Sequence, residues 1–279
     1  MKATRAPLLL LGIGLLLAAP VVAQDWQDMS ASRQRSGEES IDVRVHYAAG
    51  EFRVQPASGN TLYRMNMRYD ADQFDPISHF DGGALEIGLE SERRSLNLNG
   101  RNQGRLDLEL GRGVSMDLAL EFGAVEARMD LGGLSLTSLL LRTGASESRI
   151  DVSEPNPVRM RRADFEIGAA DFQALRLANL NAREIMVRAG VGSVVLDLSG
   201  ELRSDLDVEI DIGVGSLELR LPRGAGVKIT KESFLTSFDA DDMIKRGDAW
   251  YSRDWEDAER QITIDVNAAF GGIEVVWLR

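Results

Sequence analysis

The chain has 279 residues, 27% of them charged, and a formal net charge of −12 at pH 7. An acidic surface of that size repels nucleic acid and anionic lipid headgroups, so neither is expected as a partner. The absence of cysteine excludes disulfides, thiol catalysis and a lipid anchor on a cysteine. Stability has to come from burial and backbone hydrogen bonds, for which a chain of this length is ample.

Residues 1–23 read as a cleavable signal peptide. Lys2 and Arg5 give a basic start, residues 8–19 form an apolar run of 12, and Val21-Val22-Ala23 puts small residues at a cleavage site before Gln24. Twelve residues are too few to cross a bilayer as a helix, which takes about 20, and no second apolar run exists to make an integral span. An uncleaved anchor is the competing reading. The protein is therefore expected outside the cytoplasm, in the periplasm or at the cell surface. Residues 24–40 are polar without apolar periodicity and are expected to be a flexible linker.

From Ile41 the pattern becomes strict alternation, as in Ile41-Val43-Val45, Leu106-Leu108-Leu110 and Val208-Ile210-Ile212. Apolar side chains at every second position put one strand face on a core and the other in water, so residues 41–279 are expected to be a single all-β domain. Within it, 41–105 are N-terminal strands and 106–228 are regular repeats. Five glycines mark the repeat: Gly123, Gly144, Gly168, Gly190 and Gly213, at spacings of 21, 24, 22 and 23 residues. The residues one and three before each are mostly apolar, and apolar or small residues follow at the second, fourth and sixth positions. A period near 22 residues predicts stacked coils of a β-solenoid. The alternative is an antiparallel meander folded into a sandwich, since Gly-x-Gly between strands also suits a hairpin. Residues 229–260 interrupt the repeat and are expected to be an irregular cap. The stretch 234–255 gathers Phe234, Phe238, Trp250, Tyr251 and Trp255, and it reads either as that cap or as a binding loop. Residues 261–279 return to strand.

The run from Leu106 through Gly123 to Leu131, the Leu141-Arg-Thr-Gly144-Ala-Ser stretch, Ile212-Gly213-Val-Gly-Ser-Leu-Glu-Leu and the closing Phe270-Gly-Gly-Ile-Glu-Val resemble the bacterial toast-rack domain. That family is similar to the β-repeat region of LiaF-type cell-wall-stress regulators and to proteins of like build called adhesins. The resemblance covers about residues 41–279. It implies a β-repeat envelope protein with no established activity and no catalytic residues to carry over. The chain departs from LiaF-type regulators in its cleavable signal and its lack of transmembrane helices.

No catalytic, cofactor-binding or metal-binding residue is assigned, and no cofactor is expected. Gly190-Val-Gly192 and Gly213-Val-Gly215 lack the third glycine and the following helix of a phosphate loop, so they read as turns that need positive φ. His46 and His79 lie in different segments with no zinc-ligand spacing. Glu126, Glu147 and Asp171 fall at one register and should form an outward column, with Arg128 and Arg149 beside it. Such a column is either a solvated charged face or the paired carboxylates of a carbohydrate-cleaving β-helix. Asp239, Asp241 and Asp242 suggest calcium but match no calcium-loop spacing. These residues point to a non-catalytic envelope module that binds or builds, its partner a cell-envelope polysaccharide or protein. The alternatives are a carbohydrate-acting enzyme or a sensor subunit in envelope stress.

Overall fold

The computed structural model describes residues 25–90 and 104–278. The signal segment, residues 1–23, lies outside the described residues. Fifteen strands form one sheet, in the order β1-β3-β6-β2-β7-β8-β9-β10-β11-β15-β12-β14-β13, with β5 and β4 attached at β2. The body is a stack of eight long strands: β2 (Ser40–Pro56), β7 (Ser115–Asp130), β8 (Ser135–Asp151), β9 (Met160–Leu175), β10 (Ala182–Asp197), β11 (Leu206–Leu221), β15 (Gln261–Trp277) and β12 (Gly226–Asp239). Every neighbouring pair in that stack is parallel. Parallel pairing of successive repeats is the β-solenoid and excludes the antiparallel meander for the body.

Each long strand carries two arms joined by a sharp corner. In β7, Met116, Leu118, Leu120 and Phe122 are buried, then the phase slips at Gly123 and Ala124, and Val125, Ala127 and Met129 are buried. The slip is a bend, because the two arms share one core. Phe165 and Phe172 sit on opposite sides of the β9 corner, and their ring centroids are 5.6 Å apart. Seven residues of straight strand would separate them by about 23 Å. The core thus lies between first arms and second arms along the whole stack, with a residue from every rung contributing to each wall.

The return turns between coils are pinned by buried asparagines. Asn156 Nδ2 donates to the carbonyls of Leu136 and Leu180, and Asn179 Nδ2 donates to that of Val152. These bonds cross rungs, so they fix the stacking register as well as satisfying polar groups in the interior.

Both ends depart from the regular stack. At the N-terminal end a split coil pairs with β2, β5 (Ala84–Glu90) on its first arm and β6 (Arg105–Leu110) on its second. The first arm is closed by β4 (Asp75–Asp81), antiparallel to β5. The second arm is closed by β3 (Thr61–Asp70) on β6 and then β1 (Trp26–Gln34) on β3. Strand β1 corrects the expectation of a flexible linker over 24–40. Its backbone is paired along its length, and Met29 and Ala31 pack on the core. The sequence hid it because an edge strand with one weakly apolar face shows little alternation.

At the C-terminal end β12 is a full rung, so residues 229–239 belong to the stack and not to the cap. The cap is shorter: β13 (Ile244–Arg246) and β14 (Ala249–Tyr251) form a hairpin laid antiparallel on the first arm of β12. The final strand, β15, slots between β11 and β12 instead of following the cap. That insertion buries both edges of the closing strand.

Candidate functional site

A groove of about 1190 Å³ runs along the outside of the corner, touching rungs from β2 to β12. Eight rungs at the ordinary strand spacing make it about 34 Å long. Its floor is the column Ala48, Gly123, Gly144, Gly168, Gly190, Gly213 and Ala269. These glycines do not hold positive φ, contrary to the expectation for Gly190 and Gly213. They are required by close approach: a Cβ on Gly213 would stand 2.5 Å from the carbonyl oxygen of Gly190, and one on Gly168 would stand 2.7 Å from that of Gly144. Two residues on, the expectation holds. Gly192 and Gly215 have φ of 145° and 151°, and a Cβ on either would strike the rung below at under 2 Å.

One lip of the groove is a ladder of alternating charge. His46, Glu121, Arg142, Glu166, Arg188, Asp211, Asn267 and Glu232 fall in register on successive rungs. Arg142 bridges Glu121 and Glu166 at 3.2 and 2.8 Å, and Arg188 reaches Glu166 at 3.8 Å. His46 Nδ1 lies 3.6 Å from Glu121, and Asn267 Nδ2 donates to Asp211 at 2.9 Å. Two carboxylates hold the Arg142 guanidinium well above its ordinary range, Glu166 more than Glu121. The ladder was legible and unread: the residue two before each repeat glycine alternates Glu121, Arg142, Glu166, Arg188, Asp211.

The other side of the corner is apolar and uncovered. Ala124, Ala145 and Ala169 are followed in the same column by Val191, Val214, Phe270 and Leu235. The last four are 54, 46, 46 and 63% exposed, which makes a contiguous apolar strip rather than isolated surface residues.

The second arms carry the column foreseen from sequence. Glu51, Glu126, Glu147 and Asp171 are in register, beside Arg53, Arg128, Arg149 and Gln173. Those of β7, β8 and β9 line a shallow cavity of about 390 Å³ with Ser193 and Val195. Glu51 pairs with Arg53 at 3.1 Å, Glu126 pairs with Arg128, and Arg149 donates to Gln173 at 2.9 Å. Glu126, Glu147 and Asp171 are exposed, whereas a general acid needs desolvation to keep its proton. The ring beside them, Phe172, is fully buried and offers no face to a sugar.

The remaining candidates are dispersed. His46 and His79 lie on β2 and β4, with β5 between them. Asp242 faces Arg223 and Arg253 at 3.9 and 3.4 Å, and the carbonyl of Asp241 accepts from Trp277 Nε1. Among the described residues no group of three or more His, Asp or Glu is arranged to hold a metal ion. The end aromatics pack on one another: Phe238 with Trp250 at 4.7 Å and Tyr251 with Trp255 at 5.5 Å. Lys245 stands over Trp250 and Arg246 over Tyr251. The side chain of Phe234 is outside the description. Among the described residues no helix is long and apolar enough to cross a membrane, which says nothing of crossing with strands.

Fold and groove together define a parallel β-solenoid with a long outer channel. The family model for the N-terminal domain of toast_rack, DUF2154, matches residues 22–173 and again 162–220. The chain belongs to the toast-rack family. It is similar in fold to the solved structure of a "putative cell adhesion protein" from Clostridium sporogenes, with 17% identity, 91% of this chain and 100% of that one covered, and a TM-score of 0.49. A "putative adhesin" from Bacteroides fragilis has 9% identity over 90% of this chain and 97% of its own, with a TM-score of 0.38. A "putative lipid binding protein" from Parabacteroides distasonis has 10% identity over the same shares, with a TM-score of 0.29. No curated protein matches the chain.

Proposed function

We propose that this protein is a non-catalytic binding module, exported to the cell envelope, whose partner lies along the glycine-floored groove. The observation that carries the reading is the charge ladder that lines the groove together with the exposed apolar strip one residue past the groove floor. A surface that repeats every 4.8 Å suits an extended partner that can follow it rung by rung. We take that partner to be an envelope protein rather than a polysaccharide. The rings in the floor, Tyr47 and Phe122, are buried and give no platform for a sugar ring, whereas exposed Val191, Val214 and Leu235 suit apolar side chains. The charges fix register, because a displaced partner meets the wrong sign at each rung.

The test is site-specific photocrosslinking in the native host. A probe at Val214 should capture a protein partner from the exported form that begins near Gln24, while the same probe at Glu147 on the second arm should not. Equal capture at both positions, or capture of glycan alone, would overturn the assignment.

A further inference from the structure

On the outer face of the first arms, a second cavity of about 1040 Å³ spans β8, β9 and β10, beyond the Arg142–Glu166–Arg188 ladder. Six arginines line it: Arg142, Arg159, Arg161, Arg162, Arg183 and Arg188. Three are already engaged. Arg142 bridges Glu121 and Glu166, Arg162 holds Asp164 at 2.7 Å and reaches Glu184 at 3.8 Å, and Arg188 faces Glu166. Arg159, Arg161 and Arg183 are exposed, and among the described residues none of the three makes a hydrogen bond or an ion pair. Arg161 contributes to the field that lowers the Asp117 carboxyl. Of the four carboxylates at this cavity, Asp164, Glu166 and Glu184 are the partners just named, and Asp207 stands on the next rung, β11.

This concentration runs against the chain, in which 44 acidic residues outnumber 32 basic ones. It is built by register. Arg161 and Arg183 sit side by side on neighbouring strands, between the paired positions Met160–Ala182 and Arg162–Glu184. Like charges placed opposite one another are unfavourable unless an anion lies between them. Guanidinium groups present planar forks that match phosphate oxygens two at a time. A phosphate monoester carries about −1.5 to −2 charges, so two such groups neutralise three guanidiniums.

We propose that this face binds a ligand bearing two or more phosphate groups, gripped by Arg159, Arg161 and Arg183. Arg159, Arg161 and Arg183 lie outside the groove, although Arg142, Glu166 and Arg188 line both cavities. The site also reverses, locally, what net charge implies about anionic headgroups, because net charge averages over the patch.

The experiment titrates the full chain with sodium polyphosphate and, separately, with vesicles of cardiolipin, whose headgroup carries two phosphates, in neutral lipid. Binding should be saturable and weaken with salt. Arg159→Ser, Arg161→Ser and Arg183→Ser together should lower affinity at least tenfold. Arg183→Ser alone should lower it about threefold, which keeps the test decisive if the triple variant folds poorly. Arg53→Ser with Arg128→Ser, on the second arms, should change it less than twofold. Binding of polyphosphate alone identifies a soluble phosphate polymer, and binding of vesicles identifies a lipid headgroup. Failure of both probes overturns the proposal, as does equal weakening by the second-arm variant or unchanged binding by the first-arm variants.

Discussion

In β2, β7 and β9 the space between the arms is filled by rings: Tyr47, Phe52, Phe122, Phe165 and Phe172, with Phe52 and Phe122 centroids 4.6 Å apart. In β10, β11 and β15 the same positions hold aliphatic residues, among them Val187, Val194, Ile210, Leu217, Val266 and Ile273. The corners differ in parallel. Ala124, Ala145 and Ala169 are followed by Val125, Ser146 and Ala170, none at positive φ, whereas Val191, Val214 and Phe270 are followed by Gly192, Gly215 and Gly271 at φ of 145°, 151° and 138°. Strand β2 mixes the two, with Ala49 before Gly50 at φ 123°. One stacking plan therefore accepts two corner conformations. The later one leaves larger apolar side chains in solvent, and that is where the exposed strip runs.

The largest difference between the halves should lie in the core. Phe172 and Val194 occupy the same register position on adjacent rungs, and both are buried. Phe172→Ala removes a ring packed against Phe165 at a tilt of 49° and should cost about 3–5 kcal/mol. Val194→Ala removes two methyl groups from an aliphatic layer and should cost about 2 kcal/mol. Urea denaturation of the two variants measures both. Equal losses would mean that the rings do not hold the first half together, and the contrast in cores would be compositional only.

The corners come next. Gly215→Ala adds a Cβ 1.8 Å from the Gly192 carbonyl oxygen, at a φ that L residues rarely adopt. Strain and collision together should cost about 2–4 kcal/mol. Gly213→Ala meets only the collision, at 2.5 Å from Gly190, and should cost about 1–3 kcal/mol. Gly144→Ala, at 3.0 Å from Gly123, should cost least of the three. Thermal melts that reverse this order would show that neither close approach nor dihedral angle sets the cost at these corners.

Much of this architecture was written in the repeat. Five glycines at near-constant spacing carried the solenoid, and the common offset of Glu126, Glu147 and Asp171 placed their column correctly before any coordinates. What failed did so for identifiable reasons. Strand β1 has one faintly apolar face on an edge, so alternation could not show it. The insertion of β15 is a matter of topology, on which local pattern is silent. Positive φ at Gly213 was inferred from residue type, yet glycine also serves where a neighbouring backbone comes too near. The arginine face was invisible because Arg142, Arg161 and Arg183 converge only once unequal coils are set in register.

The smallest expected effect separates the halves by acid. Asp117 on β7 accepts hydrogen bonds at Oδ1 from the hydroxyls of Thr137 and Ser138, both at 2.6 Å. Those hydroxyls, Ser138 foremost, hold its carboxyl below the usual range. A carboxylate whose pKa is depressed on folding contributes stability above its unfolded value of about 3.9, and loses it as pH falls through the lower folded value. Asp207 stands in the same column four rungs on and accepts no such hydroxyl pair among the described residues. Asp117→Asn should therefore lower stability slightly at pH 7, by less than about 1 kcal/mol for so exposed a group. The gap to wild type should close as pH drops below about 4, where the unfolded chain takes up a proton that the native carboxyl still resists. Asp207→Asn, which removes no such hydroxyl pair, should lower stability less at pH 7. Melting curves from pH 2 to 7 decide the matter: a gap between Asp117→Asn and wild type that stays constant across this range would show that the β7–β8 hydroxyls do not make this carboxyl acid-sensitive.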